Sequence, residues 1–412
     1  MKAYPEYKTT CIDWLGTIQK HCDCVKTAWL FDQIGSGSTP TSGEDAFYKD
    51  GTVNWLQTGD LNDGIITETS KKVTEYAIET KGLRLYPKGS LVIAMYGATI
   101  AKLGLLDIDT TVNQACCVLV KSKKVNSNFI FYFFQVAKKE LISLASGGGQ
   151  PNISQSTIYD FKVPVPPLVE QEAIAAYLDD MTGKIDKLLA EKQKQVADLR
   201  SYRTSLITET VTRGLNPNAP LRPSGIDWLG DIPEHWKVIK MKHCVDISNG
   251  SDPKTEGNIP VYGSGATSFK TCGEYKYGPT VLIGRKGATL HIPHWIEGKY
   301  WNVDTAFDTR VKSNYSLRFF YYIACSFDYE QYKSQTTLPS MTQSAYENAF
   351  IPVPPIAEQQ QIAGYLDEKT AKIDTLIEEL VAQLNDLAIY KQAVINEAVT
   401  GKVDVRDWIS KS

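Results

Sequence analysis

One stretch of this chain is written twice. Residues 160–179 read DFKVPVPPLVEQEAIAAYLD and residues 348–367 read NAFIPVPPIAEQQQIAGYLD, ungapped and at an offset of 188. The match continues at that offset, pairing Lys184-Ile185-Asp186 with Lys372-Ile373-Asp374, Leu188 with Leu376, Tyr202 with Tyr390, and Val211-Thr212 with Val399-Thr400. A second, shorter match is IDWLG, at 12–16 and again at 226–230, an offset of 214. The offsets differ by 26, so the material between the anchors is longer in the first half. A sequence of this kind folds as one plan used twice, a variable segment followed by a shared helix.

Each shared segment opens on a proline pair, Pro166-Pro167 or Pro354-Pro355, which suits the approach to a helix and its first turn but not its interior. Apolar residues then step by three and four. Leu178, Met181, Ile185, Leu188, Leu199, Tyr202 and Leu206 do so in the first copy, and Leu366, Ile373, Leu376, Leu380, Leu387, Tyr390 and Val394 in the second. That pattern is a heptad seam, interrupted by Lys192 and Gln195 in one helix and by Lys369 and Gln383 in the other. About 40 residues of helix reach roughly 60 Å, longer than a typical domain covers, so the two helices are expected to pair with each other. Antiparallel pairing of two repeated helices gives a pseudo-two-fold symmetric chain.

Composition is that of a globular protein, 42% hydrophobic and 22% charged, and its 412 residues suggest two to four domains. No run of about 18 apolar residues exists, so no membrane span is expected. The first residues, MKAYPEYKTTCIDWLG, lack the apolar core of a signal peptide. None of the eight cysteines forms a CxxC pair, and a reduced cytosolic interior is expected. The net charge of −3 argues against nucleic acid only on its face. Residues 17–160 hold 14 cations against 14 anions and residues 231–348 hold 13 against 12, so the acid excess lies elsewhere. Phosphate contacts need a basic patch and not a basic total.

Taken in order, these pieces resemble the specificity subunit of type I restriction-modification enzymes across nearly the whole chain. The resemblance rests on VPVPPLVEQEAIAAYLD with KIDKLL, on IPVPPIAEQQQIAGYLD with KIDTLI, and on IDWLG at both domain entrances, followed in the second by IPEHW. The first entrance departs, reading TIQKHC. Phrases within the variable segments add to it: GSGSTP, NWLQTGDL, PKGSLVIAMYGATIAKLG and VNQA in the first, IPVYGSG, GPTVLIGRKGAT and VDTAF in the second. The resemblance implies two α/β (α+β) target recognition domains separated by two long helices in an antiparallel coiled coil. The expected divisions are an N-terminal segment 1–16, a first target domain 17–160, a central spacer helix 161–215, a linker 216–230, a second target domain 231–348, and a C-terminal spacer helix and tail 349–412. It also implies double-stranded DNA and two methyltransferase subunits as partners, with optional restriction or motor subunits, in a prokaryotic cytoplasm. S-adenosylmethionine, ATP and magnesium are then expected on those partners and no cofactor or metal on this chain.

No catalytic set emerges from the residues themselves. There is no GxxxxGK[ST] phosphate loop and no Asn/Asp-Pro-Pro-aromatic motif to hold a target amine. Gly35-Ser36-Gly37 runs into Thr39-Pro40 and not into a helix, which reads as a turn. His291 and His294 flank a proline, against a helical metal pair. Base reading needs paired donors and acceptors on loops: Arg for guanine, Asn or Gln for adenine, with glycines nearby to let backbone approach phosphates. In the first segment Thr58, Gly97, Thr99, Lys102, Asn113, Gln114, Gly148, Gln150 and Asn152 fit this description. In the second Tyr262, Ser264, Arg285, Lys286, Thr289, Thr336 and Thr337 fit, and each glycine-rich phrase alone also reads as an ordinary β-turn. Two rival classes remain open: a stand-alone DNA-modifying enzyme, and a coiled-coil assembly adaptor without DNA readout.

Overall fold

The computed structural model describes residues 2–10, 12–147, 151–265, 267–334 and 337–408. The expected reading residues Gly148, Gln150 and Thr336 lie outside these. The chain divides into two compact units, residues 1–191 with 384–412 and residues 192–383.

Unit 1 is organised by a five-stranded sheet of β1 (Ile34–Ser36), β2 (Gly64–Ile66), β3 (Leu91–Ala94), β4 (Leu103–Leu106) and β5 (Cys116–Leu119), in the order β1-β5-β3-β4-β2. All neighbours are antiparallel except β2 and β4, which are parallel. The central strands LVIA and CCVL are apolar throughout because both faces are covered. Leu91, Ile93, Leu103, Leu105, Cys117 and Leu119 join a core with α1 (Ser127–Ser143), while Val92, Ala94, Leu106, Cys116 and Val118 join a second with Leu56, Ile66 and Tyr86. Helix α1 supplies Phe129, Ile130, Phe133, Phe134, Ala137 and Leu141, a helical-period stripe whose large side chains each contribute about 1.5–3 kcal/mol on burial. The helix begins at Asn126, whose side chain accepts from the backbone N–H groups of Asn128 and Phe129.

Unit 2 repeats the plan with β6 (Val245–Asn249), β7 (Thr280–Gly284), β8 (His294–Ile296), β9 (Ala306–Val311) and helix α3 (Leu317–Ser326), its sheet ordered β6-β9-β7-β8. The register is repeated as well. Val92 pairs with Gly104 across β3 and β4, and Leu282 with His294 across β7 and β8. Gly35-Ser36-Gly37 is not the expected turn, because Gly35 and Ser36 lie in β1. Gly37 is required by close approach, since a Cβ there would strike the carbonyl of Val112, as one on Gly250 would strike those of Asn302 and Val303.

The shared segments form helices α2 (Leu168–Arg213) of 46 residues and α4 (Ile356–Val399) of 44, each divided between the two units. They run antiparallel within each unit. In unit 1 Lys391 reaches Asp186 at 2.6 Å, and Ile174 and Leu178 share a core with Val394, Ile395 and Ala398. In unit 2 Arg203 donates to Asp374 at 2.8 Å, and Ile207 and Val211 share a core with Ile362, Ala363 and Leu366. These two ion pairs are one crosslink used twice, since Asp186 and Asp374, like Arg203 and Lys391, stand at the repeat offset. Lys192 also donates to Gln383.

The seam differs from its expected phase at two positions. Leu178, Ile185, Leu366 and Ile373 are buried and Leu199 and Leu387 half-buried, but Leu188 and Leu376 are 45% and 48% exposed. Their neighbours Leu189 and Ile377 are less exposed and continue the heptad steps from Ile185 and Ile373. Where two adjacent positions are apolar, spacing alone does not say which one turns inward. Two expected divisions are also crossed by hairpins. Tyr7–Thr9 pairs with Thr17–Gln19, and Leu221–Pro223 with Asp231–Pro233, so the repeated IDWLG forms the turn of an entrance hairpin.

The repeated PPxxEQ phrase has a mechanical explanation in these packings. Gln171 accepts from Asn126 N–H at 2.9 Å and donates to the Pro166 carbonyl at 2.8 Å, tying α1 to α2. Gln359 makes the same pair of bonds with Ser316 and Pro354, both at 2.8 Å. The preceding glutamates take the entrance hairpins, Glu170 meeting His21 at 2.7 Å and Glu358 meeting His235 at 2.9 Å.

Candidate nucleic-acid interface

In unit 1 the loops at the C-terminal end of β3 are drawn together by backbone bonds. Met95 N–H donates to the Ala115 carbonyl at 2.8 Å, and Ile153 N–H donates to the Met95 carbonyl at 2.7 Å. Tyr96 bridges Asn152, and Asn152 in turn bridges Ser146. Gly97, at φ +80°, opens the tight turn Gly97–Thr99, whose last carbonyl accepts from Lys102 N–H at 2.9 Å. Asn113 N–H donates to the Leu56 carbonyl at 3.0 Å, drawing in the segment that continues to Thr58. The expected residues Thr58, Gly97, Thr99, Lys102, Asn113, Gln114 and Asn152 thus gather at one end of one sheet. Gln114 and Asn152 are exposed, and Gln114 takes a hydrogen bond from the Thr39 hydroxyl.

The end of β7 in unit 2 has the same frame. Arg285 N–H donates to the Thr305 carbonyl at 2.8 Å and Met341 N–H donates to the Arg285 carbonyl at 2.9 Å, while Lys286 bridges Ser340. Gly287 lies at φ +115°, so both copies of Gly-Ala-Thr use a glycine where a side chain would be strained. The backbone thus sets Met95 against Arg285, Tyr96 against Lys286 and Gln114 against Asp304.

Several expected readers also bond within the chain. Ser264, 9% exposed, gives its hydroxyl to the Lys286 carbonyl, and the Thr289 hydroxyl donates to the Ser264 carbonyl at 2.7 Å. Tyr262 packs against a core of Leu282, Ile296 and Tyr300. The Asn113 side-chain oxygen accepts from Ala115 N–H at 3.2 Å. Thr337 is exposed. Arg285 and Lys286 are not a free cation pair. Lys286 Nζ lies 3.4 Å and Arg285 Nη1 4.0 Å from the Asp304 carboxylate, and Arg285 Nη1 also donates to the Asp304 carbonyl at 3.2 Å. Asp304 carries no sequence signal beyond its place in VDTAF, because its contacts lie 18 and 19 residues away in the chain.

Other chemistry is accounted for by packing. His294 lies in β8 opposite Leu282, where burial lowers its pKa. Among the described residues no disulfide joins the cysteines, and burial pushes the Cys117 thiol up to about 12. His21, Cys22 and Glu170 place their ligand-type atoms within 4.8 Å of one another. The same His–Glu bond recurs at His235–Glu358, where Trp236 stands in place of Cys22, so the pair is a fastening of the entrance hairpin that needs no metal. Among the described residues no helix is long and apolar enough to cross a membrane.

Comparison with known proteins agrees with this two-unit architecture. The family model for the type I restriction modification DNA specificity domain matches residues 31–197 and 233–386. The specificity subunit of the type I restriction enzyme MjaVIII of Methanocaldococcus jannaschii is 25% identical over 320 residues, covering 70% of this chain and 72% of that protein. The EcoDI specificity subunit of Escherichia coli is 20% identical over 377 residues, covering 82% and 81%. Among solved structures, a chain from work on complex assembly and conformational transition of the type I R-M system superposes with a TM-score of 0.73 at 17% identity, covering 94% of this chain and 99% of that one. The HsdS subunit of Thermoanaerobacter tengcongensis gives 0.52 at 18% identity, covering 94% and 98%. With the family model spanning both units, the chain belongs to the type I restriction-modification specificity subunit family.

Proposed function

We propose that this chain is the non-catalytic DNA-reading subunit of a prokaryotic type I restriction-modification complex. Each unit reads one half of a bipartite duplex target, and the helices common to both units set the unread spacer. Two methylating subunits bring S-adenosylmethionine and the catalytic site, and optional motor-nuclease subunits bring ATP, magnesium and cleavage. The observation that carries this reading is the duplicated loop frame at the ends of β3 and β7, which repeats the backbone bonds of Met95 at Arg285 and differs in accessible side chains such as Gln114 and Asp304. A scaffold of that kind suits two different sequences read by one mechanism.

Support for two docked partners comes from the helix pair. Leu188 and Tyr390 in unit 1 are 45% and 52% exposed, and their repeat equivalents Leu376 and Tyr202 in unit 2 are 48% and 58% exposed. In the register set by the Asp186–Lys391 and Arg203–Asp374 pairs, each leucine is nearly level with the tyrosine of its unit. Repeated apolar side chains left in water point to a partner surface, and two copies point to two partners. A Leu188→Glu, Leu376→Glu chain should fold with little loss of stability, because the new charges remain hydrated. It should fail to copurify with the methylating subunits and support no methylation, whereas the unaltered chain assembles and directs it. Normal assembly and methylation by the double variant would remove this surface from the account, and turnover by the chain freed of every partner would overturn the non-catalytic reading.

A further inference from the structure

The loop frames of the two units coincide in backbone but not in charge. Unit 1 places buried Met95, half-buried Tyr96 and exposed Gln114 there, with no ionised group among them, and unit 2 places Arg285, Lys286 and Asp304 at the matching positions. Arg285 is already oriented before any ligand arrives. Its backbone is held on both sides by Thr305 and Met341, its Nη1 donates to the Asp304 carbonyl at 3.2 Å, and its guanidinium lies 5.8 Å from the centre of the Phe307 ring. Its side chain is still 35% exposed, and that of Asp304 is 50% exposed.

A carboxylate beside both cations disfavours a phosphate there, since like charge would face it. A base pair is the better match. The arginine fork fits guanine O6 and N7, and an aspartate accepts from the cytosine amino group, while a glutamine amide fits adenine N6 and N7. We propose that Arg285 and Asp304 read a G·C pair in the half-site of unit 2, and that Gln114 faces an A·T pair at the matching position of the half-site of unit 1. This assignment rests on the DNA-reading function proposed above.

The test uses the chain assembled with its methylating subunits and duplexes randomised in one half-site at a time, with methyl transfer as readout. Arg285→Gln should reduce the preference for one G·C pair in one half-site on the order of tenfold to a hundredfold, leaving the other half-site unchanged. Gln114→Asp should weaken one A·T preference in the opposite half-site, which keeps the idea testable should the Arg285 variant fold poorly. An unchanged base preference in both variants overturns the assignment. So does a uniform loss over all sequences with a salt dependence reduced by about one ion, the signature of a phosphate contact. Exchange of residues 17–160 separates the two levels. If it redirects methylation while both point variants read the original bases, only this assignment fails, and if it redirects nothing, the reading function itself fails.

Discussion

The helix pair and the loop clusters at the sheet ends have responded to the same duplication in opposite ways. On the helices the side-chain bonds are copied. Gln171 and Gln359 tie down equivalent helix starts, Tyr132 donates to Asp179 at 2.8 Å as Tyr322 does to Asp367 at 2.6 Å, and Asp186–Lys391 matches Asp374–Arg203. At the sheet ends only the backbone bonds and the positive-φ glycines are copied, and neutral Met95, Tyr96 and Gln114 give way to charged Arg285, Lys286 and Asp304. On the helices the internal partners repeat, and so do the exposed pairs Leu188/Leu376 and Tyr202/Tyr390, whereas Gln114 and Asp304 at the sheet ends do not. That division separates what the two units share from what differs between them.

The entrance hairpins sharpen the comparison, because there a fastening differs between units. Trp236 is buried at 1% exposure under Gly214, while the smaller Cys22 fills the matching place in unit 1. Trp236→Ala should cost unit 2 about 3–5 kcal/mol through the cavity it leaves. Cys22→Ala should cost unit 1 only about 1 kcal/mol. Hydrogen exchange resolved by segment would measure both, and equal losses would show that the two entrances do not act as separate fastenings.

A smaller effect should depend on pH and appear in unit 2 alone. Burial lowers the pKa of His294, with a backbone contact to Ser264 acting the other way, and Gly104 occupies the matching register position in unit 1. The unfolded chain then binds the proton more readily than the folded one, so this contribution is fully present above a pH of about 6.5 and is lost on acidification below it. Exchange protection of β7 and β8 should fall between pH 8 and roughly 5.5. The fall should be shallower in His294→Gln, and an equal slope in that variant would place the titration on another group.

Much of this architecture is legible in the sequence because it is written twice. The proline pairs, the shared helices and the apolar strands before each Gly-Ala-Thr all follow from patterns of short range. The phase of the seam does not. Leu188 and Leu189 are adjacent leucines, and only packing reveals that Leu189 is the less exposed of the two while Leu188 meets water. A charge at Leu188 therefore lacks the buried-ion penalty that a seam position would impose. Asp304 was hidden for a different reason, since it lies 18 residues from Lys286 and meets it only when β7 and β9 pair. Ser264 and Thr289 have the composition of base readers, yet they spend their hydroxyls on loop carbonyls.

If the two units read separately on a common frame, as proposed, exchanging one of them redirects one half of the target alone. Residues 17–160 would be replaced by the corresponding segment of a related specificity subunit, and the methylated sequence mapped across the genome of cells carrying the hybrid and its methylating subunits. One half of the bipartite target should change while the other half and the spacer stay as they were. A target that changes in both halves, or in neither, would contradict separate reading by the two units.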